Sequence, residues 1–223
     1  MTNVELDFKG RVKEIESFFD FIQSLDLKDI ELFDQNGYLA YPSHERENLL
    51  RTFKASAFLM LYNLMESTVS NAVEAIFDEL ANRGTTFDAC CQKVRLIVLN
   101  NLKQHSAQKI LPDLNQIAND IITKTFKKNI LFSGNVDAQA IRGLANDYGF
   151  SSPAADGRDL LTVKSNRNDL AHGTKSFSEV GRSFSMPDIV RLKTQVIYYL
   201  GEMLSCVGSY ISQQGYLSAP ESS

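Results

Sequence analysis

The chain has 223 residues, 43% hydrophobic and 22% charged, the composition of an ordinary folded protein, which excludes disordered and fibrous architectures. No apolar run approaches the roughly 18 to 20 residues that span a bilayer. The acidic start MTNVELDFKGRVKEIESFF has no signal-peptide apolar centre, so a cytoplasmic protein without a membrane partner is expected.

The net charge of -4 argues against a uniformly basic surface, yet residues 1–92 carry 8 basic against 16 acidic side chains and residues 93–193 carry 15 against 9. A positive field suited to phosphate belongs to that middle segment, unless these charges are only solvated helix faces. Long stretches free of Gly and Pro carry apolar residues at helical spacing, which predicts an all-α fold with one domain over 1–223.

In chain order, Val4, Phe8, Val12, Ile15, Phe19 and Ile22 predict an amphipathic helix over the first 25 residues, followed by a loop to about residue 42. With Ser43 as its N-cap, a long central helix runs from His44 to about Asn82, with two apolar stripes, and ends at Arg83-Gly84. Thr85 or Thr86 is read as the cap of a helix to about Lys103, and a further helix is read over roughly 107–127. A loop or short extended piece follows, and Asn135 is read as the cap of a helix that Gly149 terminates. Residues 158 to about 171 form a helix stopped by Gly173, and Ser185 with Asp188 starts a long final helix to about Gln214. A flexible tail is expected over 215–223. Cys90, Cys91 and Cys206 have neither zinc nor redox spacing and are read as buried structural thiols.

The chemistry-bearing segment is Lys164-Ser165-Asn166-Arg167-Asn168-Asp169-Leu170-Ala171-His172-Gly173. At about 100° per residue, Arg167 falls in one sector with Leu160, Val163 and Leu170. A guanidinium in an apolar stripe needs acceptors, unless it snorkels to the surface. Glu66, in a polar strip with Asn63 and Ser70 on the central helix, is the expected carboxylate partner, a surface ion pair being the other reading of that residue. His172 lies about 140° round from Arg167, at the helix end. There it is either a surface or capping residue or the second half of a phosphate site, with Asn168 four residues earlier on its side.

The run Arg167-Asn168-Asp169-Leu170-Ala171-His172 has the R-N-x-x-x-H form and resembles the HEPN superfamily (higher eukaryotes and prokaryotes nucleotide-binding). Gly173, the run Ser176 to Arg182, the preceding Ser133-Gly134-Asn135-Val136-Asp137 and the stretch Tyr62 to Ile76 are similar to a bacterial branch of it associated with toxin and defence loci. The resemblance covers about 45–212, with 1–42 outside that core. It implies a helical bundle, a homodimer that brings two motifs together, and metal-independent RNA cleavage in active members. Arg167 and His172, with Asn168, would then be the catalytic residues and Glu66 a supporting one.

Lys164, Lys175 and Arg182 flank the motif as candidate RNA-phosphate contacts, each equally readable as a solvated charge. Tyr62, Phe177 and Phe184 are candidates for base stacking, with core packing the competing reading of Tyr62. No phosphate-binding Gly loop, dinucleotide fingerprint or zinc-protease motif is present. His44, His105 and His172 are far apart in sequence, so neither metal nor cofactor is expected. The implied function is an RNA endonuclease acting through the ribose 2'-OH, a toxin or defence effector with a neutralising antitoxin or defence partner protein. The alternative is a HEPN module that dimerises or binds nucleotide or RNA without cutting.

Overall fold

A computed structural model of the chain describes residues 1–28, 30–33, 35–37, 39, 43–103 and 135–218. Among them are seven α-helices: α1 (Thr2–Asp26), α2 (Ser43–Asn82), α3 (Gln92–Lys103), α4 (Ala138–Tyr148), α5 (Arg158–Ala171), α6 (Phe177–Arg182) and α7 (Met186–Ser212). The all-α expectation is met. The helix expected over roughly 107–127 lies outside the described residues.

The 40-residue helix α2 is the axis of the bundle. Phe58, Leu61, Tyr62, Met65, Val69 and Ile76 are buried along it, on more sides than one face could supply, and α1, α5, α6 and α7 all pack on it. A helix buried this widely cannot hold its fold alone; its stability comes from those neighbours. From α1, Ile15, Phe19, Ile22 and Leu25 enter the core, and Asn71 Nδ2 of α2 donates to Asp7 Oδ2 at 2.9 Å. From α7, Ile189, Leu192, Val196, Leu200 and Met203 enter it, and Lys193 Nζ sits 5.2 Å from the centre of the Phe19 ring.

Helix ends follow capping chemistry. The Ser185–Asp188 capping box expected for the last helix is present, and a second one, Ser176 with Glu179, starts the six-residue α6. Gly84, at φ 59°, ends α2, with Thr85 N–H donating to Leu80 O at 2.9 Å.

Three expectations are corrected. The cap of α4 is Asp137 rather than Asn135: its Oδ1 accepts from Ala140 N at 2.8 Å. Thr86 does not start a helix to Lys103; it precedes a 3-10 turn, Phe87–Ala89, after which α3 begins at Gln92. The tail expected to be free from Gly215 is docked as far as Ser218. Tyr216 is buried, its carbonyl accepts from Cys91 N at 2.8 Å, and Ser218 N donates to Ala89 O at 3.0 Å. These bonds use the backbone groups that the short 87–91 segment leaves unpaired. Cys90 is buried there, and burial pushes its thiol up to about 11, as an inert structural residue requires.

No helix among the described residues is long and apolar enough to cross a membrane.

Candidate functional site

Helix α5 positions the motif. Leu160, Val163 and Leu170 are buried on its inner side, which faces α2, so the sector that contains Arg167 is the one the helix packs with. Arg167 is half-buried. Its Cζ lies 4.4 Å from the centre of the Tyr62 ring, and its Nη1 donates to Asn168 Oδ1 at 3.1 Å. The expected ion pair with Glu66 is absent: Glu66 is half-buried on α2, and the guanidinium meets the face of Tyr62 instead. An aromatic face attracts a cation through its quadrupole, so the desolvation that seemed to require a carboxylate is offset by a ring and an amide.

Tyr62 is fully buried, and its hydroxyl accepts from the Val136 N–H at 3.1 Å. Burial raises its phenol above the ordinary range, against the Val136 N–H and the Arg167 charge, so the ring stays a neutral phenol. One turn further along α5, Lys164 Nζ donates to Asp137 Oδ2 at 2.6 Å, with only 20% and 12% of the two side chains exposed. Burial works to raise the Asp137 carboxyl, but the Lys164 ammonium and the Ala140 N–H outweigh it and hold it below its usual value. Lys164 is therefore engaged within the fold rather than standing free for phosphate.

His172 is the C-cap of α5 and is exposed. Gly173, at φ 68°, turns the chain there: Gly173 N donates to Leu170 O and Thr174 N to Asp169 O, a Schellman arrangement that only a residue free of a Cβ adopts easily. Lys175 Nζ then returns to Asp169 Oδ2 at 2.7 Å, half-exposed. The imidazole is presented at a fixed helix end, on the same side as Asn168 one turn before it. Asn168 thus joins the two halves of the motif, holding the guanidinium while sharing a face with His172.

Arg182, at the end of α6, is exposed. Of the three aromatic candidates, Tyr62 is covered by Arg167. Phe184 packs against the Phe58 ring at 4.8 Å, and Phe177 is 37% exposed. Sequence reasoning missed Asp137 and the task of Tyr62. The first was hidden by the nearby Asn135, while the second was signalled by an aromatic residue one turn before Glu66 on the same helix. Among the described residues no three His, Cys, Asp or Glu side chains stand together so as to hold a metal ion.

The family model for MAE_28990-like HEPN proteins matches residues 1–216. It begins at the first residue, so α1, expected to lie outside the HEPN-like core of 45–212, is part of the family's domain. No curated protein and no solved structure matches the chain. With its motif carried on α5 and the match extending over nearly all of its length, the chain belongs to the MAE_28990-like HEPN family.

Proposed function

We propose that the protein is a metal-independent RNA endonuclease working as a homodimer. The observation that carries this reading is the joining of Arg167, Asn168 and His172 at one end of α5: a guanidinium held by a ring and an amide, beside an exposed imidazole at a fixed cap. In the reaction, the ribose 2'-oxygen attacks the adjacent phosphorus and the bond to the 5'-oxygen breaks. Imidazole is suited to take the 2'-OH proton or to give one to the leaving oxygen near neutral pH. The N–H groups of Arg167 that Asn168 does not use stabilise the charge growing on the phosphorane. Asn168 keeps Arg167 turned toward the His172 side. The products are a 2',3'-cyclic phosphate and a 5'-hydroxyl.

The outward face of α5 suits pairing of two copies. Arg158, Leu161, Ser165, Asn168 and His172 recur at spacings of three and four and fall within about 80° of one another. Leu161, a large apolar side chain, is 54% exposed in that row. Two such rows meeting about a two-fold axis would set two His172 side chains along one groove, with Arg182 and Lys175 toward its rim as phosphate contacts. An enzyme that cuts RNA in its own cell requires restraint, which accords with a toxin or defence effector held by a neutralising partner.

A second reading, an RNA- or nucleotide-binding module that does not cut, is favoured by one observation: Lys164 and Lys175 are both engaged with carboxylates. The two are separated by incubating the purified protein in EDTA with one single-stranded RNA and with DNA of the same sequence. The nuclease reading expects cleavage of the RNA alone, with cyclic-phosphate ends. Binding of RNA without any cleavage by a folded dimer selects the second reading.

A further inference from the structure

We propose that Tyr62 is the positioning residue for Arg167: the face of its ring sets the plane of the guanidinium, and the Val136 N–H sets the ring. This deepens the nuclease reading given above and rests on it for the consequence in catalysis. Three observations converge. The Tyr62 ring is fully buried, so it cannot itself be a stacking platform for a base. Its face lies 4.4 Å from Arg167 Cζ. Its hydroxyl is fixed at the far edge by the Val136 N–H at 3.1 Å, a bond that spans 74 residues of sequence.

A guanidinium is planar and carries its donors around its edge. A ring beneath one face therefore consumes no donor. A carboxylate in the same place would have taken two N–H groups in a forked pair. With Tyr62 below and Asn168 Oδ1 taking one Nη1 hydrogen, most of the edge stays available to a phosphate, and the charge is not neutralised by a counterion. The arrangement thus serves an arginine that must be both partly desolvated and electrostatically active.

The clamp also reaches beyond α2 and α5. Val136 precedes Asp137, the cap of α4, and Asp137 holds Lys164 one turn before Arg167. The start of α4 is therefore tied to α5 twice, once through Tyr62 and once through Lys164. Tyr62 stands at the crossing of α2, α4 and α5, and so Arg167 is oriented by the fold and not by its own flexible stem.

The test changes the ring's electrostatics without changing its shape. In Tyr62→Phe the hydroxyl is lost but the face remains, and cleavage should stay within about threefold of wild type. Successive fluorination of that phenylalanine drains the ring quadrupole, and kcat should fall stepwise, by about 2- to 30-fold in all, the range of a cation–π contact. KM should change little, because the guanidinium is needed most as charge develops. In an Arg167→Ala background the same fluorination should have no effect. A packing role alone predicts no response, since fluorinated rings fill the same space; an unchanged kcat across the series, in protein that cleaves RNA, overturns the inference.

A readout independent of cleavage is the Arg167 Nε–H proton resonance, which the ring face should shift upfield in wild type and Tyr62→Phe but not in Tyr62→Leu. Absence of that shift in wild type overturns the clamp. Its presence in a protein that cuts no RNA supports the clamp and counts against the nuclease reading instead.

Discussion

At Arg167, a ring and an amide in place of a carboxylate alter what substitution should do. Were the side chain paired with Glu66, its removal would leave a carboxylate stranded, at a cost of several kcal/mol. Resting on Tyr62 and Asn168, it leaves behind only an aromatic face and an amide. Arg167→Ala should therefore abolish most cleavage while lowering stability by about 1 kcal/mol, as urea unfolding will measure. Lys164 behaves in the opposite way. Lys164→Met strands the largely buried carboxylate of Asp137, and about 2 kcal/mol of stability should be lost. The same pair makes a pH prediction. Because the Asp137 carboxyl is held below its usual value in the folded state, its stabilising contribution is full above the unfolded value of about 3.9 and is lost as pH falls through the lowered one. Acid titration of unfolding should show a steeper decline below about pH 4 in wild type than in Asp137→Asn, which has no such proton to take up.

Among the elements, the turn that follows the motif is the most sensitive. Gly173 adopts φ 68° to complete the Schellman turn that holds His172 at the cap. A few residues on, a Cβ at Gly181 of α6 would overlap the backbone carbonyl of Arg51 on α2, so α6 lies against α2 only because residue 181 is Gly. Gly173→Ala should cost about 1 kcal/mol and Gly181→Ala about 2 kcal/mol or more, measured by thermal unfolding, and both should lower cleavage by loosening the His172 turn. These elements differ in how far sequence revealed them. The helices α1, α2, α5 and α7 were legible because each is long enough for a 3.6-residue period to repeat several times. The six residues of α6 carry less than two turns, and their mark is the Ser176–Glu179 box. The docking of Tyr216 was not legible, since its partner, Cys91, lies 125 positions away and the bond is made by backbone. Within the site, the sector containing Arg167 and the terminal place of His172 followed from helical geometry. The identity of the partner did not, because periodicity says that a buried cation needs company and not whether a carboxylate or a ring supplies it.

For the whole molecule, the account requires two copies acting together, and the exposed row on α5 is where they should meet. Leu161→Glu places a charge in the middle of that row without touching the core. Light scattering should report the mass of a dimer for wild type and of a monomer for this variant, with cleavage lost alongside while the helical content is kept. A variant that remains dimeric and active would move the pairing surface elsewhere. The central claim is that Arg167 and His172 cut RNA by proton transfer and charge stabilisation without a metal. Its most direct test is the rate at which wild type and His172→Ala cleave one single-stranded RNA in EDTA. The account predicts cleavage by wild type and a rate lower by about 100- to 10,000-fold in the variant, with the unfolding midpoint little changed because His172 is exposed at a helix end. Cleavage that needs added Mg²⁺, or that proceeds at full rate without His172, would contradict it.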